Sequence, residues 1–226
     1  MSSHTLLLLA GGVGNRMDSD IPKQVKLLKG KPMLIYSLHA AEKVDEFDEI
    51  IIPCPEDYLG MIKNVVREFG IKKKIRFIVG GSTRQKSVYL SLLKNKSEKV
   101  VVHESARPLV RPEYFKTLIN DPSENVIYGL DIPFTVLYRD KERVSGIIDR
   151  NKIFNVELPH KYNASVLLGA HKKAMAEAKF FTEDASLVFH YGNEVKILPG
   201  HYENIKITTW VDYLIAEKLL EEKGTL

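Results

Sequence analysis

The sequence predicts a single α/β domain built on a mostly parallel sheet, with helices on both faces and a protruding β-hairpin arm. Two observations lead to this prediction. Short apolar runs recur along the chain, and stretches with apolar residues three and four positions apart separate them. Strands that alternate with helices in this way form parallel sheets covered on both faces. One region, 131–157, interrupts the alternation, and a length of 226 residues suits one domain that carries such an arm, so we expect residues 1–226 to form one domain.

Six apolar runs are predicted as strands, and five stretches of helical periodicity lie between or after them. The first helix shows the pattern, because Leu34, Leu38 and Ala41 share one face and Pro32 fits the start of the first turn. The predicted strands are Thr5–Leu9, Glu49–Pro53, Ile75–Val79, Lys99–His103, Val126–Leu130 and Val195–Leu198. The predicted helices are Met33–Val44, Tyr58–Phe69, Arg84–Leu93, Pro112–Ile119 and Trp210–Glu222.

The arm is predicted from two short runs rich in β-forming residues, Phe134–Arg139 and Arg143–Ile148. Asp140, Lys141 and Glu142 form the turn between them. A two-stranded hairpin is marginally stable by itself, so a protruding one is expected to pack on a partner, often a second subunit.

Composition excludes several classes of protein. The net charge of +4 is spread along the chain, which gives no reason to expect a nucleic-acid partner but suits anionic substrates. The apolar run Leu6–Leu9 is too short to span a membrane and has no basic segment before it. The single cysteine, Cys54, has no partner for an intramolecular disulfide and is expected in the core. We therefore expect a cytoplasmic protein that does not bind membranes.

The loop after the first strand is the most informative segment. Three glycines in four positions allow positive φ angles and bring backbone N–H groups close to an anion. Arg16 and Lys23 add positive charge near the same place, so the segment is predicted to bind a triphosphate. A tight turn beside a solvated arginine is the alternative. The residues expected at this site are Ala10, Gly11, Gly12, Gly14, Arg16 and Lys23.

Two other phosphate-binding loops are excluded. The dinucleotide pattern Gly-x-Gly-x-x-Gly fails, because counting from Gly12 places Met17 where the third glycine is needed. The Walker A pattern occurs nowhere in the chain.

A second glycine-containing loop, Gly80–Val88, follows the third predicted strand. Gly81 precedes a helix whose first turn carries Arg84 and Ser87, and helix N-termini offer free N–H groups to base carbonyls or phosphate. An ordinary cap, with Ser82 or Thr83 at the N-cap, is the alternative interpretation.

The fourth predicted strand ends in His103 and Glu104. A carboxylate at the end of a central strand suits Mg²⁺, which takes one or two carboxylates together with substrate phosphates. Arg107 is expected to pair with Glu104 or to meet a substrate phosphate. His103 points to the other face of the strand and is expected to be a structural residue.

The segment Glu203–Thr209 is predicted as a short strand that leads into the last helix. Lys206 lies on the opposite face from Ile205 and Ile207, so it is expected outside the core.

Taken in order, these segments resemble the 2-C-methyl-D-erythritol 4-phosphate cytidylyltransferase family and its relative, ribitol-5-phosphate cytidylyltransferase. The resemblance spans the chain from Leu9 to Thr209. The matching runs are AGGVGNRM with PKQ, GGSTRQKSV, VHESARP, IDRN around Arg150, TEDAS around Thr182, and NIKIT. Each run by itself has little specificity, and the ordered set carries the resemblance.

The resemblance implies a Rossmann-like fold and a magnesium-dependent reaction in which an acceptor phosphate attacks the α-phosphorus of CTP and pyrophosphate leaves. It implies that Arg16, Lys23 and Lys206 stabilise the charge that develops on the phosphates. Gly81 and Ser87, with Arg84 and the first glycine-rich loop, are the implied nucleotide-binding residues, and Glu104 is the implied ligand of Mg²⁺. The implied residues for a small polyol phosphate are Arg107, Thr135, Arg150 and Thr182. A homodimer formed partly through the arm is also implied.

Three departures from the family pattern lie on the metal or acceptor side. Glu104 stands where the family usually has Asp, Leu158-Pro159-His160 stands where methylerythritol enzymes read Thr-Pro-Gln, and Pro133–Thr135 is shorter than its counterpart. The sequence therefore leaves three candidate acceptors: methylerythritol 4-phosphate, ribitol 5-phosphate and a glycerol phosphate. Two other hypotheses are a sugar-phosphate nucleotidyltransferase that uses another NTP and a nucleotide-binding protein without catalytic activity.

Overall fold

A central sheet forms the body of the protein in the computed structural model, which describes residues 3–11 and 23–222. Within these residues the sheet has seven strands, in the order β11-β7-β10-β6-β1-β4-β5. The strands are β1 (His4–Leu9), β4 (Phe47–Cys54), β5 (Ile75–Val79), β6 (Lys99–Glu104), β7 (Val126–Asp131), β10 (Phe154–Asn163) and β11 (Lys196–Pro199). All neighbouring strands pair in parallel except β10, which is antiparallel to both β6 and β7.

The remaining elements are helices and two small hairpins. The helices are α1 (Met33–Glu42), α2 (Leu59–Glu68), α3 (Arg84–Leu92), α4 (Pro112–Asn120), α5 (Ala164–Ala176), α6 (Asp184–His190) and α7 (Trp210–Glu222), with short 3₁₀ turns at Lys23–Val25, Glu56–Tyr58 and Arg150–Lys152. The hairpins are β2 (Leu27–Leu28) with β3 (Lys31–Pro32), and β8 (Leu137–Asp140) with β9 (Arg143–Ile147).

Both faces of the sheet are buried, because alternate side chains of each strand point to opposite sides. In β1, Leu6 and Leu8 pack into one core with α1, α2 and α4, whereas Leu7 and Leu9 pack into a second core with α3, α5 and α6. A strand covered on both faces needs apolar residues at every position, which explains the continuous leucine run. The predicted α/β fold with helices on both faces is confirmed.

All six predicted strands and all five predicted helices are present, with small differences at their ends. Among the described residues, the larger elements that were not predicted are β10, α5 and α6, and the small β2–β3 hairpin and the 3₁₀ turns were not predicted either. Strand β10 has the sequence FNVELPHKYN, and its polar residues Glu157, His160 and Lys161 are fully buried. Such residues are typical of loops, so the residues themselves give no sign of a central strand.

The predicted arm exists, and its strands are shorter than predicted. Strands β8 and β9 form a separate antiparallel sheet joined by a two-residue turn at Lys141 and Glu142. Within the region 131–157, Phe154–Glu157 belong to β10 and therefore to the central sheet.

The prediction of a short strand at Glu203–Thr209, around Lys206, is wrong. Residues 204–208 form no strand, and the N–H of Ile207 donates one hydrogen bond to the carbonyl oxygen of Ala106 (2.8 Å). Ile207 is fully buried beside α7, so the apolar spacing reflects burial of an irregular segment.

Candidate active site

The loops that follow β1, β4, β5 and β6 meet at the carboxyl edge of the sheet. The Ala10 N–H donates to the carbonyl oxygen of Pro53 (3.1 Å), and the Gly80 N–H donates to that of Cys54 (2.8 Å). Ser105, after β6, donates to the carbonyl oxygen of Leu9 from its N–H (3.1 Å) and its hydroxyl (3.0 Å). The first predicted loop therefore begins next to Glu104, as expected for parallel strands.

Part of the predicted triphosphate site can be placed. Ala10 is fully buried and Gly11 is exposed at the end of β1. Gly12, Gly14 and Arg16, and the side chain of Lys23, lie outside the described residues.

The loop between β5 and α3 forms a tight turn around Ser87. The Gly81 N–H donates to the Ser87 hydroxyl (3.1 Å), which in turn donates to the carbonyl oxygen of Thr83 (2.9 Å). Thr83 is the N-cap of α3 and accepts from the Lys86 N–H (3.1 Å), so the predicted cap is confirmed at Thr83. A Cβ atom on Gly81 would lie 2.2 Å from Cγ of Lys86, so this close approach requires glycine.

Glu104 lies between two cations at the end of β6. Its Oε1 accepts from Nε of Arg84 (3.0 Å), and its Oε2 lies 2.5 Å from Nζ of Lys206. Burial favours the neutral acid, but Lys206 and Arg84 outweigh burial and lower the pKa of Glu104 to about 2. Glu104 is therefore an ionised carboxylate near neutral pH, although it is almost fully buried. The structure thus brings together Glu104 and Lys206, which are 102 residues apart in sequence (206 minus 104).

Arg84 is held by three carboxylates, each on a different nitrogen. In addition to Glu104 on Nε, Asp184 accepts from Nη1 (2.7 Å) and Glu183 accepts from Nη2 (2.8 Å). Burial opposes the charge of this guanidinium, and Asp184, Glu183 and Glu104 together raise its pKa above the ordinary arginine value. Arg84 is predicted to bind nucleotide. In the structure, all three nitrogens of its guanidinium donate to protein carboxylates.

A buried layer of aromatic and histidine side chains supports the carboxylates. Oδ1 of Asp184 lies 3.2 Å from Nε2 of His171, and Nδ1 of His160 lies 3.0 Å from the Tyr162 hydroxyl and 3.5 Å from Oε1 of Glu183. Burial lowers the pKa of His160 to about 3, so this imidazole is neutral. Sequence reasoning singled out the TEDAS run around Thr182 but gave no role to its two acidic residues.

A second buried network lies beside Arg107. Its Nη1 donates to the carbonyl oxygen of Asn204 (2.8 Å), and the Asn204 amide donates to Oε1 of Glu157 and to the carbonyl oxygen of Leu158, both at 2.7 Å. The Arg107 N–H donates to the carbonyl oxygen of Glu104 (3.0 Å). Arg107 therefore contacts Glu104 through the backbone of both residues. The Arg107 guanidinium instead contacts the segment that carries Lys206.

The other residues predicted to hold an acceptor lie at the surface. Thr182 is exposed next to Glu183, and Thr135 is exposed at the base of the arm. Arg150 donates to the carbonyl oxygen of Pro133 (2.9 Å). Within the described part of the chain, neither Thr135 nor Arg150 has a hydrogen bond or ion pair with Glu104 or Lys206.

A magnesium site at this edge would depend on a single protein carboxylate. Among residues 3–11 and 23–222, no group of three or more His, Cys, Asp or Glu side chains could hold a metal ion unaided. Mg²⁺ accepts such a site, since it keeps several waters and takes substrate phosphates as ligands. Glu104 is the ionised carboxylate at this edge, and its two oxygens contact the cationic side chains of Arg84 and Lys206.

His103 has the structural role expected for it. Its ring is fully buried, lies edge-on against Phe115 and places Nε2 3.2 Å from the carbonyl oxygen of Arg107.

In the described residues no helix is long and apolar enough to cross a bilayer.

Taken together, the fold and the site define a Rossmann-like α/β domain with a cluster of charged side chains at the carboxyl edge of the sheet, where ligands bind in open α/β sheets. The IspD family model, described as 2-C-methyl-D-erythritol 4-phosphate cytidylyltransferase, matches residues 4–222. The chain therefore belongs to this family, and it is an enzyme of the nucleotidyltransferase class.

Individual relatives agree with this assignment. The 2-C-methyl-D-erythritol 4-phosphate cytidylyltransferase of Bacillus licheniformis is 32% identical over 97% of this chain and 96% of its own length. The crystal structure of the 4-diphosphocytidyl-2C-methyl-D-erythritol synthase from Anaerococcus prevotii superposes with a TM-score of 0.86 and 26% identity, over 97% of this chain and 99% of that one. The Francisella tularensis 2-C-methyl-D-erythritol 4-phosphate cytidylyltransferase superposes with a TM-score of 0.79 and 26% identity, over 96% and 99%.

Proposed function

We propose that this protein transfers CMP from CTP to 2-C-methyl-D-erythritol 4-phosphate and releases pyrophosphate. The observation that carries the proposal is the ionised Glu104 carboxylate, held beside Lys206 at the edge where the phosphate-binding loops meet. The family and its cytidylyltransferase relatives support the choice of CTP and of this acceptor.

The reaction is a direct displacement at phosphorus. An oxygen of the acceptor phosphate forms a bond to the α-phosphorus of CTP, and the bond from that phosphorus to the bridging oxygen breaks. The electron pair leaves with pyrophosphate, so negative charge builds up on the phosphate oxygens. Lys206, with Arg16 and Lys23 from the first loop, would stabilise this charge, because preorganised cations act most strongly where charge develops.

Glu104 would hold Mg²⁺, which when bound supplies positive charge to the α-phosphate region and orients the triphosphate. Its carboxylate is kept ionised by Lys206 and Arg84. We propose that Arg84 acts mainly by orienting Glu104, since its three engaged nitrogens leave little capacity for a nucleotide contact.

Cytosine recognition is assigned to the turn formed by Gly81 and Ser87. The close contact at Gly81 leaves no room for a side chain there, so backbone groups of the turn can approach a base. The Ser87 hydroxyl fixes the shape of this turn through its bonds to Gly81 and Thr83.

The acceptor would be held by Arg107, Thr135, Arg150 and Thr182. The Leu158 and His160 side chains, which replace threonine and glutamine of the family pattern, are buried and face the protein interior. They therefore cannot take over the hydrogen bonds of the residues that they replace. We also propose a homodimer in which the arm of one subunit packs on the other.

The test is pyrophosphate release with Mg²⁺, each NTP in turn, and methylerythritol 4-phosphate, ribitol 5-phosphate or a glycerol phosphate. Turnover with CTP and methylerythritol 4-phosphate is the expected result. A clear preference for ribitol 5-phosphate or glycerol phosphate would replace the proposed acceptor. If CTP binds but no acceptor gives turnover, the result would favour a nucleotide-binding protein without catalytic activity.

A further inference from the structure

The segment that carries Lys206 has no regular secondary structure to hold it in place. Between β11 and α7, the Gly200 N–H donates to the carbonyl oxygen of Gly129 (2.8 Å) and the Ile207 N–H donates to that of Ala106 (2.8 Å). Residues 201–206 make no strand ladder. The position of this stretch therefore depends on side-chain contacts.

Asn204 is the buried residue of the stretch 201–206, and its side chain contacts the central sheet. Its side chain is 1% exposed, and Nδ2 donates both to Oε1 of Glu157 and to the carbonyl oxygen of Leu158. Both acceptors lie on β10, at the centre of the sheet. Two short bonds from one planar amide fix both the distance and the orientation of the segment.

Glu157 reinforces the same contact from β10. Its carboxylate is fully buried, and its second oxygen, Oε2, accepts from the His201 N–H (2.7 Å). A Cβ atom on Gly200 would lie 2.5 Å from this oxygen, so the segment can approach Glu157 only because residue 200 is glycine.

Arg107 joins the segment to the loop that follows Glu104. Its guanidinium donates to the carbonyl oxygen of Asn204, and its N–H donates to the carbonyl oxygen of Glu104. Asn204 thus contacts both β10 and the β6 loop, and Lys206 follows it by two residues. The Lys206 side chain is 43% exposed and long, so its approach to Glu104 depends on where its backbone is held.

We infer that Asn204 is a positioning residue, which holds Lys206 against Glu104 by fixing the segment to Glu157, Leu158 and Arg107. This inference rests on the proposed role of Lys206 in catalysis. Asn204 itself would touch neither substrate nor metal. It acts on turnover only through Lys206.

The test compares Asn204→Ala with Asn125→Ala, a matched control at the other end of the sheet. Asn125 is also buried and donates its amide to a backbone carbonyl (Glu194, 3.0 Å). As for Asn204, no described residue donates a hydrogen bond to its Oδ1. Both variants are expected to lower the melting temperature. Only Asn204→Ala is expected to lower kcat, by roughly 10- to 100-fold, the range seen for misplaced catalytic groups. The KM for CTP should change less than about threefold, because the triphosphate loop and the Ser87 turn are untouched.

A double-mutant cycle separates positioning from an independent effect. In a Lys206→Ala background, Asn204→Ala is expected to lower kcat no further, since the residue that it positions is gone. A further loss of tenfold or more would overturn the inference. Full activity of Asn204→Ala beside an inactive Lys206→Ala would overturn the inference while leaving the proposed function intact. Full activity of Lys206→Ala would overturn the proposed catalytic role of Lys206 and, with it, this inference.

If Asn204→Ala fails to fold, Glu157→Gln provides the second variant. It preserves the side-chain shape but sets an amide NH₂ against either the Asn204 amide or the His201 N–H. The same fall in kcat, absent in the Lys206→Ala background, is expected. Unchanged kcat in a folded Glu157→Gln protein would overturn the inference.

Discussion

At the scale of single residues, Glu104 can be compared with a second buried glutamate in a similar environment. Glu49 contacts Nη2 of Arg76 (3.0 Å) and Nζ of Lys74 (3.2 Å), and Glu104 contacts Arg84 and Lys206. The Glu49 and Glu104 side chains are 7% and 10% exposed. The two groups differ in location, since Glu49 lies in the first half of β4 and Glu104 at the carboxyl end of β6.

We expect Glu104→Gln to lower kcat by roughly 10²–10³, the usual effect of removing one electrostatic stabiliser from a catalytic site. Glu49→Gln should leave kcat unchanged. Both variants should lose stability to urea, because each removes a buried negative charge that pairs with two neighbouring cations. Steady-state pyrophosphate release and urea denaturation measure the two effects, and equal activity of both variants would argue against a catalytic Glu104.

His160 makes stability depend on pH. Burial lowers its pKa from 6.5 to about 3, so the unfolded chain binds a proton that the folded protein does not bind between these values. Stability from this residue is present above pH 6.5 and is lost as the pH falls below it. The loss by pH 5 is about 2 kcal/mol.

The variant His160→Gln, which restores the glutamine of the family pattern, has no such proton. We expect its free energy of unfolding to fall by about 2 kcal/mol less than that of the unaltered protein between pH 7.5 and pH 5. Urea denaturation at the two pH values measures this difference. Parallel pH dependence in both proteins would mean that His160 has the same pKa in the folded protein and in the unfolded chain, which would contradict this prediction.

At the scale of elements, the β8–β9 arm exposes a set of large apolar side chains. Phe134 is 76% exposed, Val144 68% and Ile147 83%. A hairpin with an uncovered apolar surface gains stability when that surface is buried. The arm is thus the element on which the proposed homodimer depends.

We expect the double variant Phe134→Ser, Ile147→Ser to weaken the dimer by at least about 3 kcal/mol, or roughly 100-fold in Kd. Sedimentation velocity over a range of concentrations measures this change. Phe189→Ser is the control, since Phe189 is 73% exposed but lies on α6, outside the arm. A monomer at all concentrations for the unaltered protein would exclude the proposed dimer.

At the scale of the whole molecule, the site joins loops from β1, β5 and β6 with the segments before α6 and α7. A ligand that contacts these loops stabilises the folded chain over the unfolded one, by about 2.7 kcal/mol when present at 100 times its Kd. We expect CTP with Mg²⁺ to raise the melting temperature by about 5–10 °C at that concentration.

UTP at the same concentration should give a smaller rise, because cytosine recognition is assigned to the turn at Gly81 and Ser87. Ser87→Ala should reduce the rise with CTP, since the hydroxyl that holds the turn is lost. Scanning calorimetry with each nucleotide measures these shifts. Equal shifts with CTP and UTP would contradict the assignment of this turn to the base.

The sequence by itself determined the alternation of strands and helices, the arm, the loop that bears Gly81 and the strand end that bears Glu104. These features have local signals: the period of apolar residues, glycines that follow a strand, and a cap at the start of a helix. The order of the motifs was enough to indicate the family, which the comparisons confirm.

Only the tertiary structure decided how the site is held. Arg84 meets carboxylates that lie 99 and 100 residues further along the chain, and Asn204 meets a glutamate 47 residues before it. Strand β10 contains buried polar residues that are typical of loops. Two of them have partners outside the strand: Glu157 accepts from Asn204 and His201, and Lys161 donates to the carbonyl oxygen of Asp121. Such pairings leave no periodic signal, since each residue's role is set by groups that are distant in sequence and adjacent only in the folded chain.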